Sequence, residues 1–191
     1  NESYAIAKIA GIKLCIALKN QYSFDAISLM PTNLYGYGDN YHASNSHVLP
    51  AMIDKFYKAK IQGLKQVVCW GSGSPRREFL FVDDLAEASI FILENVSITN
   101  ENLYNDLNNF IGILNVGLGT DITIKELAHL ISSIVGYDGE VIWDSSKPDG
   151  TPRKLLDISK LNDLGWSAKT DLEEGIKLTF KNYIDELKNK N

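Results

Sequence analysis

The chain has 191 residues, 45% of them hydrophobic and 23% charged, with a formal net charge of -5. That is enough chain for one domain or slightly more, and the composition excludes a disordered chain, a collagen-like repeat and a disulfide scaffold. The acidic balance argues against the basic face of a nucleic-acid binder, and no apolar run approaches the roughly 20 residues that span a bilayer.

The opening residues, NESYAIAKIAG, begin inside a helical pattern, without an initiator Met and without a signal or transit pattern. The chain is therefore expected to be the C-terminal part of a longer protein. Ser3 to Lys19 carries Ile6, Ile9, Ala10, Leu14, Ala17 and Leu18 at helical spacing, with Asn1 or Ser3 as the cap. Gly11 inside this helix costs roughly 1 kcal/mol against Ala, which points to close packing against another backbone. Asp25 to Met30 reads as a short buried strand ended by Pro31, and Thr32 to Asn45 as a loop. His47 to Lys60 is a second helix, with Pro50 in its first turn, where a missing N–H is harmless.

Gln66 to Trp70 predicts a strand, turned by Gly71-Ser72-Gly73-Ser74-Pro75, and Arg77 to Val82 a further one. Asp83 or Asp84 opens a helix that runs to about Glu94. Val96 to Asn109 is polar and Asn-rich, and reads as a surface insertion. Phe110 to Val116 is an apolar strand. Thr123 and Glu126 have the spacing of a capping box for a helix that Gly136 closes after Val135. Glu140 to Trp143 is a strand, Ser145 to Arg153 a loop, and Ser159 to Leu164 a short helix stopped by Gly165. Leu172 to Leu187 is the last helix, followed by a frayed KNKN tail. Strands and helices alternate, so the class is α/β.

Cys15 and Cys69 lie far apart on apolar patterns and are expected to be reduced core thiols, as in a cytoplasmic protein. His42, His47 and His129 show no ligand spacing with them, so no metal site is expected. The basic pairs Arg76-Arg77 and Arg153-Lys154 in an acidic chain suit a small anionic ligand better than a polyanion.

Tyr4 and Lys8 stand one helical turn apart on the same side. An ammonium beside a phenol favours the phenolate, and a tuned Tyr exchanges a proton with a carbonyl or hydroxyl oxygen. Taken alone, that spacing is common among solvated helix residues. The strand that follows ends in Met30-Pro31-Thr32-Asn33-Leu34-Tyr35-Gly36, and open α/β sheets bind ligands at the carboxyl ends of their strands. Trp70-Gly71-Ser72-Gly73, Arg77-Glu78-Phe79-Leu80 and Val82-Asp83-Asp84 come next.

In order and spacing these motifs resemble the extended short-chain dehydrogenase/reductase family, the nucleotide-sugar epimerases and reductases. The resemblance runs over nearly the whole chain. Asn45-Ser46-His47-Val48-Leu49-Pro50 and the run from Ser146 to Asp157 are similar to the branch that epimerises C3 and C5 and reduces C4 of a GDP-4-keto-6-deoxy sugar with NADPH. UDP-sugar 4-epimerases and dTDP-sugar reductases generally lack both. A nucleotide-sugar-binding fragment without turnover is the reading from outside enzymes.

The resemblance implies the end of a Rossmann-type parallel sheet plus a smaller mixed α/β substrate-binding subdomain. Residues 1–45 would hold the Tyr-x-x-x-Lys helix and the following strand. Residues 46–191 would be mainly the nucleotide-sugar-binding subdomain, with 110–135 returning to the sheet. It implies Tyr4, Lys8 and His47 as catalytic residues: Tyr4 as proton donor to the C4 oxygen, Lys8 at the nicotinamide ribose, and His47 as acid/base in epimerisation. Those three, with Pro31, Thr32, Asn33 and Leu34, would contact NADP(H). Asn33, Lys55, Trp70, Arg77, Asp149 and Lys154 would contact the GDP-sugar. Neither nucleic acid nor membrane is implied as a partner; a homodimer through the first helix is. Within the chain, Gly117-Leu118-Gly119 comes too late to serve as a dinucleotide fingerprint.

Overall fold

The computed structural model describes residues 2–42 and 45–189. Helix α1 (Glu2–Tyr22) leads to strand β1 (Ser28–Pro31) and, after one residue, to β2 (Asn33–Tyr35). Helix α2 (Val48–Ile61), β3 (Gln66–Trp70), β4 (Arg76–Arg77), β5 (Phe79–Phe81) and α3 (Val82–Asn95) follow. Then come β6 (Ile113–Val116), β7 (Ile122–Thr123), α4 (Ile124–Val135), β8 (Glu140–Asp144), β9 (Arg153–Lys154), α5 (Ser159–Asp163) and α6 (Leu172–Asn189).

The pairings β1–β6, β2–β5, β3–β8 and β4–β9 are parallel, and β4–β7 is antiparallel. The result is a Rossmann-like α/β arrangement with flanking helices, the class expected from the sequence. Strand β5 is the hinge of the packing. Successive side chains of a strand point to opposite faces. Phe79 and Phe81 enter one core with Leu49, Ile53 and Phe56 of α2, Leu127 and Ile131 of α4, and Ile176 of α6. Leu80 enters a second core with Ala88, Ile92, Leu103, Leu114, Val116, Leu161 and Trp166. Each fully buried Leu or Ile contributes roughly 1.5–3 kcal/mol of transfer free energy.

Helix α4 forms as its sequence dictates. The Thr123 hydroxyl accepts from the Glu126 N–H, the Glu126 carboxylate accepts from the Thr123 N–H, and Gly136 closes the end at φ 72°.

Several expectations need correction. Residues 32–45 are not all loop: Asn33 to Tyr35 pair with Phe79 to Phe81. Three residues carry no period of their own, and the partner lies more than 40 positions away. The strand placed over residues 77–82 breaks at Glu78, because β4 pairs with β9 and β5 pairs with β2. Pro31 closes β1 from inside it. Asp83 and Asp84 do not cap α3; Phe81 is the N-cap, and buried Asp84 accepts from the Lys169 and Thr170 N–H groups. The Asn-rich insertion is tied down by Leu103, fully buried in the second core, and by a bridge between Tyr104 and Phe110. Among the described residues, no other backbone packs on Gly11. Cys69 is a core thiol, but Cys15 is only half-buried. Ser3 lies within α1, and the alternative cap Asn1 lies outside the described residues. Of the tail called frayed, Lys188 and Asn189 are helical, and 190–191 lie outside the described residues.

Candidate functional site

Two groups of residues assemble at the carboxyl ends of the strands. The first lines an open cleft of about 500 Å³. Tyr4 projects into it from the first turn of α1, with its side chain 64% exposed. Lys8, one turn on, holds its ammonium 5.4 Å from the centre of the Tyr4 ring and does not itself line the cleft. Pro31, Thr32, Asn33 and Leu34 form the floor where β1 passes into β2. His47, the backbone N-cap of α2, also lines the cleft, and its side chain makes no capping hydrogen bond. All the cofactor residues expected from the sequence except Lys8 thus meet around one cavity.

Asn33 is oriented by a 2.7 Å bond from Nδ2 to the main-chain oxygen of Glu78, to which the Thr32 hydroxyl also donates. Gly36 is required on the rim: at φ 150°, a Cβ there would stand 2.5 Å from a Val82 methyl carbon. Sequence reasoning missed Asp39, which lines the same cleft. Burial pushes its carboxyl up, against the lowering effects of the Asn40 N–H and of His47. The only signal for it was its place eight residues before His47. Tyr35 also reaches the cleft wall, but burial and the Asp84 and Asp171 charges push its phenol far above the usual range.

The second group gathers at the end of β3 and β8. Trp70 closes β3, 72% exposed, with the Lys147 ammonium 5.7 Å from its ring centre. Lys55 reaches from α2 to the Val68 carbonyl at 2.9 Å. Asp149 accepts from the Ser72 N–H and hydroxyl, which lowers its carboxyl below the usual range. Gly71 allows this contact, since a Cβ there would lie 2.3 Å from the Asp149 Oδ1. Gly150 abuts the Arg77 guanidinium.

The short β4–β9 ladder sorts four cations into two kinds. In register, Arg76 faces Arg153 and Arg77 faces Lys154. Asp121 takes Arg76 and Arg153 together, both through Nε. Side chains one residue on lie on the opposite face. Arg77 and Lys154 have no carboxylate partner among the described residues. Two unpaired cations side by side are what a diphosphate needs, and Arg can bind phosphate with two parallel hydrogen bonds.

Residues 1–105 match the model of the "NAD dependent epimerase/dehydratase family". The chain belongs to that family. A probable GDP-L-fucose synthase 1 of Oryza sativa is 54% identical over 187 residues, 98% of this chain and 53% of that protein. Among solved structures, a GDP-6-OMe-4-keto-L-xylo-heptose reductase from C. jejuni is similar at TM-score 0.87 and 35% identity, covering 96% of this chain and 61% of that one. A GDP-D-glycero-L-gluco-heptose synthase from Campylobacter jejuni, crystallised in the presence of NADPH, is similar at TM-score 0.81 and 33% identity, covering 96% and 60%. The chain spans about half the length of the curated relatives it matches. Among the described residues, no helix is long and apolar enough to cross a membrane. In this epimerase/dehydratase chain the cleft and the cation pair are joined through a single residue, Glu78, which separates β4 from β5.

Proposed function

We propose that this chain is the C-terminal part of a GDP-L-fucose synthase, which converts GDP-4-keto-6-deoxy-D-mannose to GDP-L-fucose with NADPH. The observation that carries the reading is the cleft lined together by Tyr4, Asn33 and His47, with the register pair Arg77 and Lys154 one residue beyond Glu78. Identity of 54% to a relative so named supports the substrate. Residues 1–45 and the returning stretch 110–135 belong on this reading to the cofactor-binding sheet; the parallel β1–β6 pair supports this for Ile113–Val116, whereas α4 packs in the first core with α2. The rest of 46–191 is the nucleotide-sugar-binding subdomain.

The residues fit the nicotinamide end of the cofactor. The cleft is open, its floor carries the amide of Asn33 and the hydroxyl of Thr32, and Lys8 stands one turn along α1 from Tyr4. NADPH, when bound, supplies hydride to C4. Lys55, Trp70, Arg77 and Lys154 bind GDP, with Arg77 and Lys154 on the phosphates and Trp70 offering a ring face. Asp149 holds the Ser72 turn next to them. A ketone at C4 acidifies the hydrogens at C3 and C5. His47 moves a proton at one face of the sugar during epimerisation. Tyr4 then donates its phenolic proton to the C4 oxygen as charge develops there, a role worth roughly 10²- to 10⁴-fold.

Two free cysteines and the substrate class favour the cytoplasm. The exposed Ile6, Ile9 and Leu14 of α1 favour a homodimer through that helix, the remainder of the cofactor domain being the other candidate to cover it. Assaying the complete protein with GDP-4-keto-6-deoxy-D-mannose and NADPH tests the reading. Loss of nicotinamide absorbance with formation of GDP-L-fucose is expected; an unchanged absorbance contradicts it.

A further inference from the structure

Glu78 is fully buried, yet every polar atom it contributes to the site has a partner. Its Oε1 accepts the Gly119 N–H at 2.7 Å, and its Oε2 accepts the Leu156 N–H at 3.0 Å. Its main-chain oxygen accepts from Asn33 Nδ2 and Thr32 Oγ1. Gly117 leaves the space the carboxylate needs: a Cβ there would lie 2.3 Å from Oε1. The residue before Glu78 is Arg77, whose register partner is Lys154; the residue after it is Phe79, whose register partner is Asn33.

We infer that Glu78 is a positioning residue that sets the diphosphate cations and the Asn33 amide in one fixed relation. The inference rests on the functional reading above. The carboxylate holds two loops, one two residues from the cation ladder and the other two residues from the aspartate that clamps it. Leu156 lies two positions after Lys154, and Gly119 lies two positions before Asp121, which clamps Arg76 and Arg153. The carbonyl of the same residue fixes the amide in the cleft. A shift at Glu78 therefore reaches both ends of the bound sugar nucleotide. A carboxylate is required, not merely a polar side chain: both oxygens must accept, whereas a Gln amide offers one oxygen and turns its NH₂ toward a second N–H. Leaving a buried donor unpaired is costly, so the loops would move to find water.

The test is calorimetric titration of GDP into the unaltered protein, Glu78→Gln, Arg77→Ala and the double variant. Glu78→Gln is expected to weaken GDP binding roughly tenfold with full stoichiometry. In the double variant the combined loss is expected to be clearly smaller than the product of the two single losses, because Glu78 acts through Arg77. A purely structural role would instead lower the fraction of competent sites and leave the Kd of the folded remainder unchanged, and that result would overturn the inference. So would multiplicative losses, or equal GDP affinity in Glu78→Gln. Should Glu78→Gln fail to fold, Gly117→Ala, whose methyl displaces Oε1 from outside, is expected to give the same pattern, and unchanged GDP affinity in it overturns the inference. No GDP binding by the unaltered protein would overturn the functional reading, and this inference with it.

Discussion

At the scale of single residues, the site separates tyrosines by environment. The phenols of Tyr35, Tyr41 and Tyr183 are pushed far up, in each case by burial first. They are held as neutral packing groups: Tyr35 against Phe79 and Phe81, and Tyr183 donating to Asp54. Tyr4 is exposed and lines the cleft, with the Lys8 ammonium over its ring. In the complete protein, Tyr4→Phe is expected to lower the turnover number for reduction by roughly 10²- to 10⁴-fold and to leave GDP affinity nearly intact. Steady-state rates with GDP titration alongside would check this; an unchanged turnover number, or parallel loss of affinity, would count against the role. Tyr4 was legible in the sequence because i,i+4 spacing is a local property. Asp39 was not, since its partial burial and its place on the cleft wall arise only from the tertiary fold.

At the scale of elements, legibility followed how locally each element is determined. Helix α4 carries its own start and stop in Thr123, Glu126 and Gly136. Strand β3 alternates and ends at a glycine turn. By contrast β4, β7 and β9 are two residues each, and exist because Asp121 gathers Arg76 and Arg153 across the ladder. No pattern in a two-residue strand can announce it. The hydrogen bonds from Arg153 and then Arg76 hold the Asp121 carboxyl below the usual carboxylate range. A lowered folded-state pKa means that this clamp stabilises the fold fully above the ordinary Asp value and fades as pH falls through the depressed one. Asp121→Asn is therefore expected to unfold at lower temperature than the unaltered protein at neutral pH. That gap should close in acid. Thermal unfolding as a function of pH would read this, and a gap that stays constant down to acid would refute the clamp.

At the scale of the whole molecule, two cores meet across β5. The alternation of strands and helices made the class legible. The division into two cores was not, because β5 is buried on both faces and reads as one continuous apolar run. Helix α1 buries none of its residues fully, and Ile6, Ile9 and Leu14 are each more than half exposed. The chain spans about half of its relatives' length, while the proposed GDP contacts Lys55, Trp70, Arg77 and Lys154 all lie within it. Holding two reactants in place supplies roughly 7–11 kcal/mol in favourable intramolecular systems. On the proposed function, nucleotide-sugar binding therefore resides in this chain and hydride transfer requires the complete protein. Calorimetric titration of the 191-residue chain with GDP and, separately, with NADPH tests that assignment most directly. Measurable GDP binding with no NADPH binding is the predicted result; tight NADPH binding, or no response to GDP, would contradict it.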